Sequence, residues 1–399
     1  MSEDVSATNS ERWAWADIDL QAYRHNIGVL REVSAPSAVW AVVKANAYGH
    51  GAVRISHAAI EAGVSGLCVA TTAEGIELRD AGIAAPILVF GQQPPNEIDA
   101  LVRHNISPTV YDEGYVDALV ESAQKSGITN IGVHVKVDTG MHRVGVAPEC
   151  VESLLAHIVA KSPTVVLEGI YTHFATADDP SHSAANKQRA IFAKVLESKV
   201  LVSKVLEGVS EKSIAVHAVN SAGALTMPSE RRSFVRSGIA TYGIEPGPLV
   251  ASYCTQLRPV LSLKARVSHV QVVEAGEGIS YGQRHVFTER SIVATIPIGY
   301  ADGVPRRLWS EGGYVLIGGV RRPIVGVVTM DQLMVDCGPA SKGAQVPQVG
   351  VGDEVVLIGT QGTEHIRAED WAAALGTIAY EITCGIGERV PRRYGDTHH

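Results

Sequence analysis

The sequence predicts a parallel (β/α)8 barrel of the TIM type followed by a mostly β C-terminal domain. Eight short, largely apolar stretches alternate with helical ones between Ser37 and Arg236, a regularity that suits a closed barrel better than an open doubly wound sheet. No Gly-x-Gly-x-x-Gly turn follows the first stretch, which counts against a dinucleotide-binding fold. Beyond about Tyr253 the texture changes to polar/apolar alternation punctuated by glycine. At 399 residues the chain exceeds what one core supports, so two domains are expected, and 46% apolar residues suffice for both.

Residues 1–12 are polar and aperiodic and read as a mobile tail. Folding is expected to begin near Trp13, opening a barrel domain over residues 13–253 with the β domain over 254–399. Asp19, followed by Leu20, Tyr23, Ile27 and Leu30, has the look of a cap and one apolar helix face. Ser37–Val43 is the first barrel strand, and a helix runs from Gly51 to the break at Gly63. The remaining strands are expected near Gly66–Thr71, Pro86–Gly91, Ile106–Asp112, Asn130–Asp138, Val165–Thr172, Ile214–Val219 and Ser233–Arg236. In the second domain Leu261, Leu263, Ala265 and Val267 alternate with Ser262, Lys264, Arg266 and Ser268, and only Ala368–Leu375 reads as a helix.

The net charge of −8 and the absence of a long Lys/Arg run argue against a nucleic-acid or anionic-membrane surface. No stretch approaches the roughly 20 apolar residues of a membrane span, and Met1-Ser2-Glu3-Asp4 lacks the basic and apolar regions of a signal peptide, so a cytoplasmic location is expected. Five scattered cysteines without a CxxC pair suit reduced thiols and offer no metal spacing. Small-molecule chemistry fits better, and no metal is expected.

In such barrels reactive groups gather at the carboxyl ends of the strands. Lys44 ends the first strand, Lys136 to Arg143 follow the fifth, His173 the sixth, Asn220 and Ser221 the seventh, and Arg236 the eighth. A lysine in a partly desolvated crevice is driven toward the neutral, nucleophilic amine that Schiff-base chemistry requires, whereas an ordinary strand-end lysine snorkels to solvent.

The run Ala41-Val42-Val43-Lys44-Ala45-Asn46-Ala47-Tyr48-Gly49-His50-Gly51 resembles over its whole length the pyridoxal phosphate lysine motif of the bacterial alanine racemases. The resemblance extends from about Trp13 to Arg392. It implies that Lys44 carries pyridoxal 5′-phosphate covalently and that Tyr48, Ser221, Gly238, Ile239 and Tyr380 hold its phosphate, with Asn220 and His173 also lining the cofactor. Arg236 resembles the arginine facing the pyridine nitrogen. A guanidinium stays protonated and weakens the ring as an electron sink, which favours reprotonation over decarboxylation or transamination.

Racemisation needs two bases on opposite faces. Lys44 and Tyr281, the latter in Ile279-Ser280-Tyr281-Gly282, match the family's pair, with the tyrosine serving the partner subunit of a homodimer. A phenol is a poor base at neutral pH without nearby positive charge, which His173 and Arg236 would supply. Met330 and Asp331 resemble the partner segment that meets the substrate carboxylate, together with Arg143, and Tyr300 and Tyr380 look like the entrance gate. Thr329 stands where some relatives carry cysteine, a difference expected to touch packing. If Lys136 lies near Arg143, as the resemblance implies, two cations oppose each other, and carbamylation of Lys136, as in many relatives, would resolve the conflict, an unmodified outward-facing lysine being the alternative. The implied activity is interconversion of L- and D-alanine. A racemase of serine or of a broader range remains open, as does a decarboxylase of the same fold class, against which Arg236 argues. A lone barrel that merely carries the cofactor would lack the β domain with Tyr281 and Met330.

Overall fold

The structure, a computed structural model, describes residues 12–199, 214–340 and 349–395. Residues 1–11, nearly all of the expected tail, lie outside the described residues. The chain divides into two compact units, Ala22–Arg258 and the combination of Met1–Gln21 with Pro259–His399. The first strand, β1 (Ala14–Asp19), therefore belongs with the C-terminal segment, not with the barrel in which a boundary at residue 13 would place it. The reason is its pairing: β1 lies antiparallel to β10 (Leu261–Arg266), Ala14 opposite Ala265, and parallel to β20 (Arg392–Gly395), the last strand among the described residues, Ala16 opposite Arg392.

The first unit is the expected barrel. Its strands are β2 (Ala38–Val42), β3 (Gly66–Val69), β4 (Ile87–Val89), β5 (Ser107–Val110), β6 (Ile131–Lys136), β7 (Val165–Tyr171), β8 (Ala215–His217) and β9 (Phe234–Ser237). They pair in parallel in the order β8-β7-β6-β5-β4-β3-β2-β9. The two ends of that order are joined by hydrogen bonds from Ser233 N to Val216 O (2.9 Å) and from Arg236 N to Val219 O (3.1 Å), which nearly close the barrel.

Helices fill the crossovers. In Leu20–Ser34 the buried positions Tyr23, Asn26, Ile27 and Leu30 fall on one face, and Asn26 Nδ2 donates to Thr241 O and Arg258 O (3.1 and 2.8 Å). Asp19 itself closes β1 and does not stand alone ahead of the helix.

Aromatic and imidazole rings plug the barrel. Trp40 stacks on Phe234 (4.4 Å between centroids), Phe234 on His217 (4.2 Å) and His217 on Tyr171 (4.5 Å), so residues of β2, β9, β8 and β7 form one continuous pile. The Trp40–Phe234 pair adds about 0.5–1.5 kcal/mol beyond the burial of its area.

In the second unit the main sheet runs β16-β15-β18-β10-β1-β20, with β15 (Tyr314–Ile317), β16 (Val320–Pro323), β18 (Glu354–Gln361) and β20 (Arg392–Gly395), and β19 (Glu364–Ile366) paired to β18. A three-stranded sheet joins β11 (His269–Val273), β14 (Ser291–Ile296) and β17 (Leu333–Pro339), and β12 (Gly278–Ile279) forms a hairpin with β13 (His285–Val286). The alternation read in β10 is real, with Leu261, Leu263 and Ala265 buried and Arg266 exposed. A second helix, Ala379–Cys384, follows Ala368–Leu375.

The barrel interior is so tight that Gly169 of β7 has no room for a methyl group: a Cβ there would lie 2.3 Å from His134 Nδ1 and 3.0 Å from Ala215 O. Gly169→Ala is expected to cost about 1–3 kcal/mol in urea unfolding, the range of an overpacked core, whereas Gly127→Ala, with nothing within 4 Å, would cost only the strain of its positive φ.

Candidate active site

Lys44 follows β2 directly, and the residues after it take an uncommon form. Ala45, Asn46, Ala47 and Tyr48 have φ of 53°, 51°, 52° and 54°, one turn of left-handed helix made without glycine. Each such L-residue other than asparagine costs roughly 1–2 kcal/mol, so the surroundings must impose the conformation. They do so through several contacts. Ala47 N donates to Val43 O (2.8 Å), Ala52 N donates to Asn46 Oδ1 (2.7 Å), and the His50 ring donates through Nδ1 to Ala47 O and Tyr48 O (3.0 and 2.9 Å). The Tyr48 and His50 rings both lie against Tyr242, whose hydroxyl donates to Val42 O (2.9 Å).

The turn delivers the Tyr48 hydroxyl to the backbone after β9. A Cβ on Gly238 would sit 2.4 Å from that oxygen, so only glycine admits the approach. Ser221 lies alongside, with its Oγ accepting from Gly238 N (2.9 Å) and Ala240 N (3.3 Å) and 3.2 Å from Ser237 Oγ. Asn220 caps the short helix Ser221–Thr226 by accepting from Gly223 N (3.1 Å), and the Ile239 side chain is buried. Phenol, hydroxyls and backbone amides thus share one spot at the end of β8 and β9, donor chemistry that suits a phosphate.

Arg236, 2% exposed, is the charged centre of the barrel. Its Nη2 donates to Thr172 O and Ala218 O (2.9 Å each) and reaches His173 Nδ1 at 3.3 Å, while Nη1 donates to His217 Nδ1 at 2.7 Å. An arginine is only a donor, so both imidazoles must accept through Nδ1. His217 then carries its proton on Nε2 and donates it to His134 Nδ1 at 3.0 Å. Burial, reinforced by Arg236, holds His134, His173 and His217 far below the ordinary histidine range, His134 at about 3. His173 is held neutral, which corrects the expectation that it helps to supply positive charge; the lysines and arginines around it, Arg236 foremost, carry that charge. Among the described residues Arg236 Nε makes no hydrogen bond and no carboxylate pairs with the guanidinium. A heterocyclic nitrogen acceptor fits that free N–H.

Lys136, at the end of β6, is 6% exposed with Nζ 5.9 Å from the Tyr171 ring centroid. Burial first, and then the nearby Arg143 and Arg236, lower its amine to about 8. Asp138 shapes the loop to Arg143: Oδ1 accepts from the backbone of Gly140, Met141 and His142 (3.0, 3.1 and 3.0 Å). Lys44, Lys136, Arg143 and Arg236 all press on His173 electrostatically, so the four cations share one neighbourhood. Such a concentration of positive charge suits a ligand bearing a phosphate and a carboxylate.

Tyr281, Tyr300, Met330, Asp331 and Tyr380 belong to the other unit. Tyr281, Tyr300 and Met330 are 72%, 41% and 51% exposed, and hydrogen bonds lace together the segments that carry them. Ser280 Oγ donates to Val327 O (2.7 Å), Tyr300 N to Thr329 O and Ala301 N to Met330 O (3.0 Å each). Thr329 does more than pack, since its hydroxyl donates to Gln332 O (2.8 Å) and closes the turn around Met330. Arg389, not singled out in the sequence, joins buried Asp302 (3.0 Å) to Asp331 (2.7 Å). Tyr380 stands half-buried on the helix Ala379–Cys384. Among the described residues no cluster of side chains is suited to a metal ion.

Residues 18–246 match the family model of the alanine racemase N-terminal domain and residues 260–394 that of the C-terminal domain. The chain is 44% identical over 387 residues to the alanine racemase of Symbiobacterium thermophilum, covering 96% of this chain and 97% of that protein. It is 42% identical to that of Desulfovibrio desulfuricans, covering 96% and 98%. Among solved structures, the alanine racemase from D-cycloserine-producing Streptomyces lavendulae superposes with a TM-score of 0.87 at 38% identity, covering 96% of this chain and 97% of that one. The Bacillus anthracis alanine racemase with bound L-Ala-P gives 0.85 at 38% identity, covering 96% and 95%.

The lowered amine of Lys136 makes a pH prediction. A lysine becomes nucleophilic only when deprotonated, so a depressed value shifts reactivity to lower pH. Competitive acetylation with trace acetic anhydride in bicarbonate-free buffer, read by peptide mass spectrometry, is expected to be half-maximal at Lys136 near pH 8. A midpoint near the usual 10.5 would show that the site does not perturb it.

Proposed function

The chain belongs to the alanine racemase family, and from that premise we propose that it interconverts L- and D-alanine with pyridoxal 5′-phosphate held on Lys44. The observation that carries the residue assignment is the pairing of β2 with β9. It sets Trp40 beside Arg236 and so brings the chain leaving β2 at Lys44 to the side of the barrel that holds Gly238, Ser221 and the unpaired Nε of Arg236.

The residues fit the cofactor in kind. Tyr48, Ser221 and the backbone at Gly238 and Ile239, joined by Tyr380, would bind its phosphate. Arg236 would face its ring nitrogen as a donor that does not give up its proton, and His173 and Asn220 would line it. When bound, the cofactor would draw electrons from the substrate's α-carbon and so acidify its C–H bond.

The protein's part is to move that proton between faces. Lys44 would remove or return it on one side, and Tyr281 from a partner subunit would do so on the other. A proton taken by one base and one supplied by the other invert the centre with no net change in atoms or charge. Arg143, aided by Met330 and Asp331 of the partner, would hold the substrate carboxylate, while Tyr300 and Tyr380 would narrow the entrance to a methyl-sized side chain. Arg236 in place of a carboxylate argues against a decarboxylase.

The neutral amine of Lys136 would add CO2 and release one N–H proton to solvent, and the resulting carbamate would replace a cation opposing Arg143 with an anion holding it. The D-alanine formed would feed peptidoglycan precursors, and we place the enzyme in the cytoplasm. Among the described residues no helix is long and apolar enough to cross a membrane.

Two measurements test this reading. Lys44→Ala and Tyr281→Ala proteins, each inactive, are to be dissociated, mixed and reassociated. With sites shared across a twofold dimer, half the dimers are mixed and each has one intact site, so activity should return to about one quarter of wild type. No recovery once mixed dimers are demonstrated would refute the shared site. Separately, 13C-bicarbonate should give a carbamate carbon signal that vanishes in Lys136→Ala; a signal that is absent, or that survives the substitution, would remove the modification.

A further inference from the structure

We propose that Glu74 is a positioning residue for Lys44, its carboxylate tying the left-handed turn that follows the lysine to the end of strand β3. The inference rests on the reading of Lys44 as the cofactor lysine and adds a residue to it.

The turn is the weak point of the site's architecture. Four consecutive non-glycine residues with φ between 51° and 54° do not hold that shape unaided, and Ala45, the first of them, is exposed. Its N–H is taken by Glu74 Oε1 at 2.7 Å. The other oxygen, Oε2, accepts from Ala70 N at 2.7 Å and Thr71 N at 3.2 Å, immediately after β3. β2 and β3 are neighbours, Val42 opposite Cys68, and Val43 N donates to Cys68 O (2.9 Å). One carboxylate therefore gathers three backbone N–H groups where both chains leave the barrel. Lys44 stands directly before this anchored amide, and Tyr48 ends the same turn, so a change in its pitch would misdirect amine and phenol together.

The simpler role for Glu74 is as the third residue of a capping box on the helix Thr72–Asp80, and half of its contacts are of that kind: Glu74 N donates to Thr71 Oγ1 (3.3 Å) and Oε2 answers to Thr71 N. Glutamine serves a capping box as well as glutamate does. It does not serve the bridge. Three N–H groups on two sides need acceptors on both oxygens, and a glutamine amide turned either way sets its NH2 against an N–H.

The experiment compares Glu74→Gln, Thr71→Ala and Glu74→Gln/Ala45→Gly with wild type. Backbone amide exchange at Ala45, Ala70 and Thr71 reads the clamp without reference to cofactor. Titration with pyridoxal 5′-phosphate, and borohydride fixation followed by peptide mapping at Lys44, read its consequence. Glu74→Gln should speed exchange at Ala45 and weaken cofactor retention, each about tenfold, the loss of roughly one charge-assisted hydrogen bond. Thr71→Ala should lower stability with little effect on retention. Ala45→Gly should restore much of what Glu74→Gln loses, because glycine takes the positive φ without crowding. Glutamine behaving like wild type in exchange and retention would overturn the proposal, and so would faster exchange with unaltered fixation at Lys44. Wild-type protein that borohydride does not label at Lys44 would remove the lysine's own assignment, and the positioning role with it, whatever the exchange data show.

Discussion

A single buried cation organises the barrel. Because a guanidinium always donates, the position of Arg236 decides which nitrogen of His217 and of His173 accepts, and through His217 it decides the tautomer of His134 as well. The remaining cost of burying a charge is met by the carbonyls of Thr172 and Ala218. The aromatic pile from Trp40 to Tyr171 holds His217 in plane, and the missing side chain at Gly169 gives His134 its place. All three imidazoles are kept neutral, so they act as polar spacers and the positive field in the site comes from lysine and arginine.

That field has consequences for the lysines. A site with four cations and no carboxylate against Arg236 raises the free energy of every added positive charge. Lys136 feels this most plainly, its amine lowered to about 8 by burial and by the arginines. The same pressure favours anionic ligands.

Much of this was legible in the sequence. The barrel came from the spacing of short apolar stretches, because parallel strands buried on both faces carry their own signal. The rim residues Lys44, Lys136, His173, Ser221 and Arg236 came from their places at strand ends, and the structure does gather them. What escaped was whatever depends on distant pairing or on backbone shape. Ala14–Asp19 is too short to announce that it pairs with residues 376 positions away, Ala16 with Arg392. The left-handed turn at Ala45–Tyr48 contains no residue that demands it. His134 and His217 look like ordinary strand residues until Arg236 is placed beside them, and the charge first given to His173 failed because burial cannot be read from a motif. Arg389 had no signal at all beyond its charge.

The pairing of β1 with β10 and β20 makes the barrel an insertion within the other unit. Residues 22–258 leave and return at one point, with Asn26 Nδ2 bonded to Arg258 O and His25 Nε2 2.9 Å from Gln256 O. During synthesis the ribosome therefore releases a complete barrel long before the six-stranded run of the β unit can close. β1 must wait, unpaired on its parallel side, for β20, the last strand among the described residues. Local contacts let the barrel form early, while the sheet carries the long loop-closure entropy and is the slower part to assemble. Truncation at the C-terminus would thus expose an edge at the N-terminus, leaving an otherwise finished barrel tethered to a sheet open to pairing with other chains.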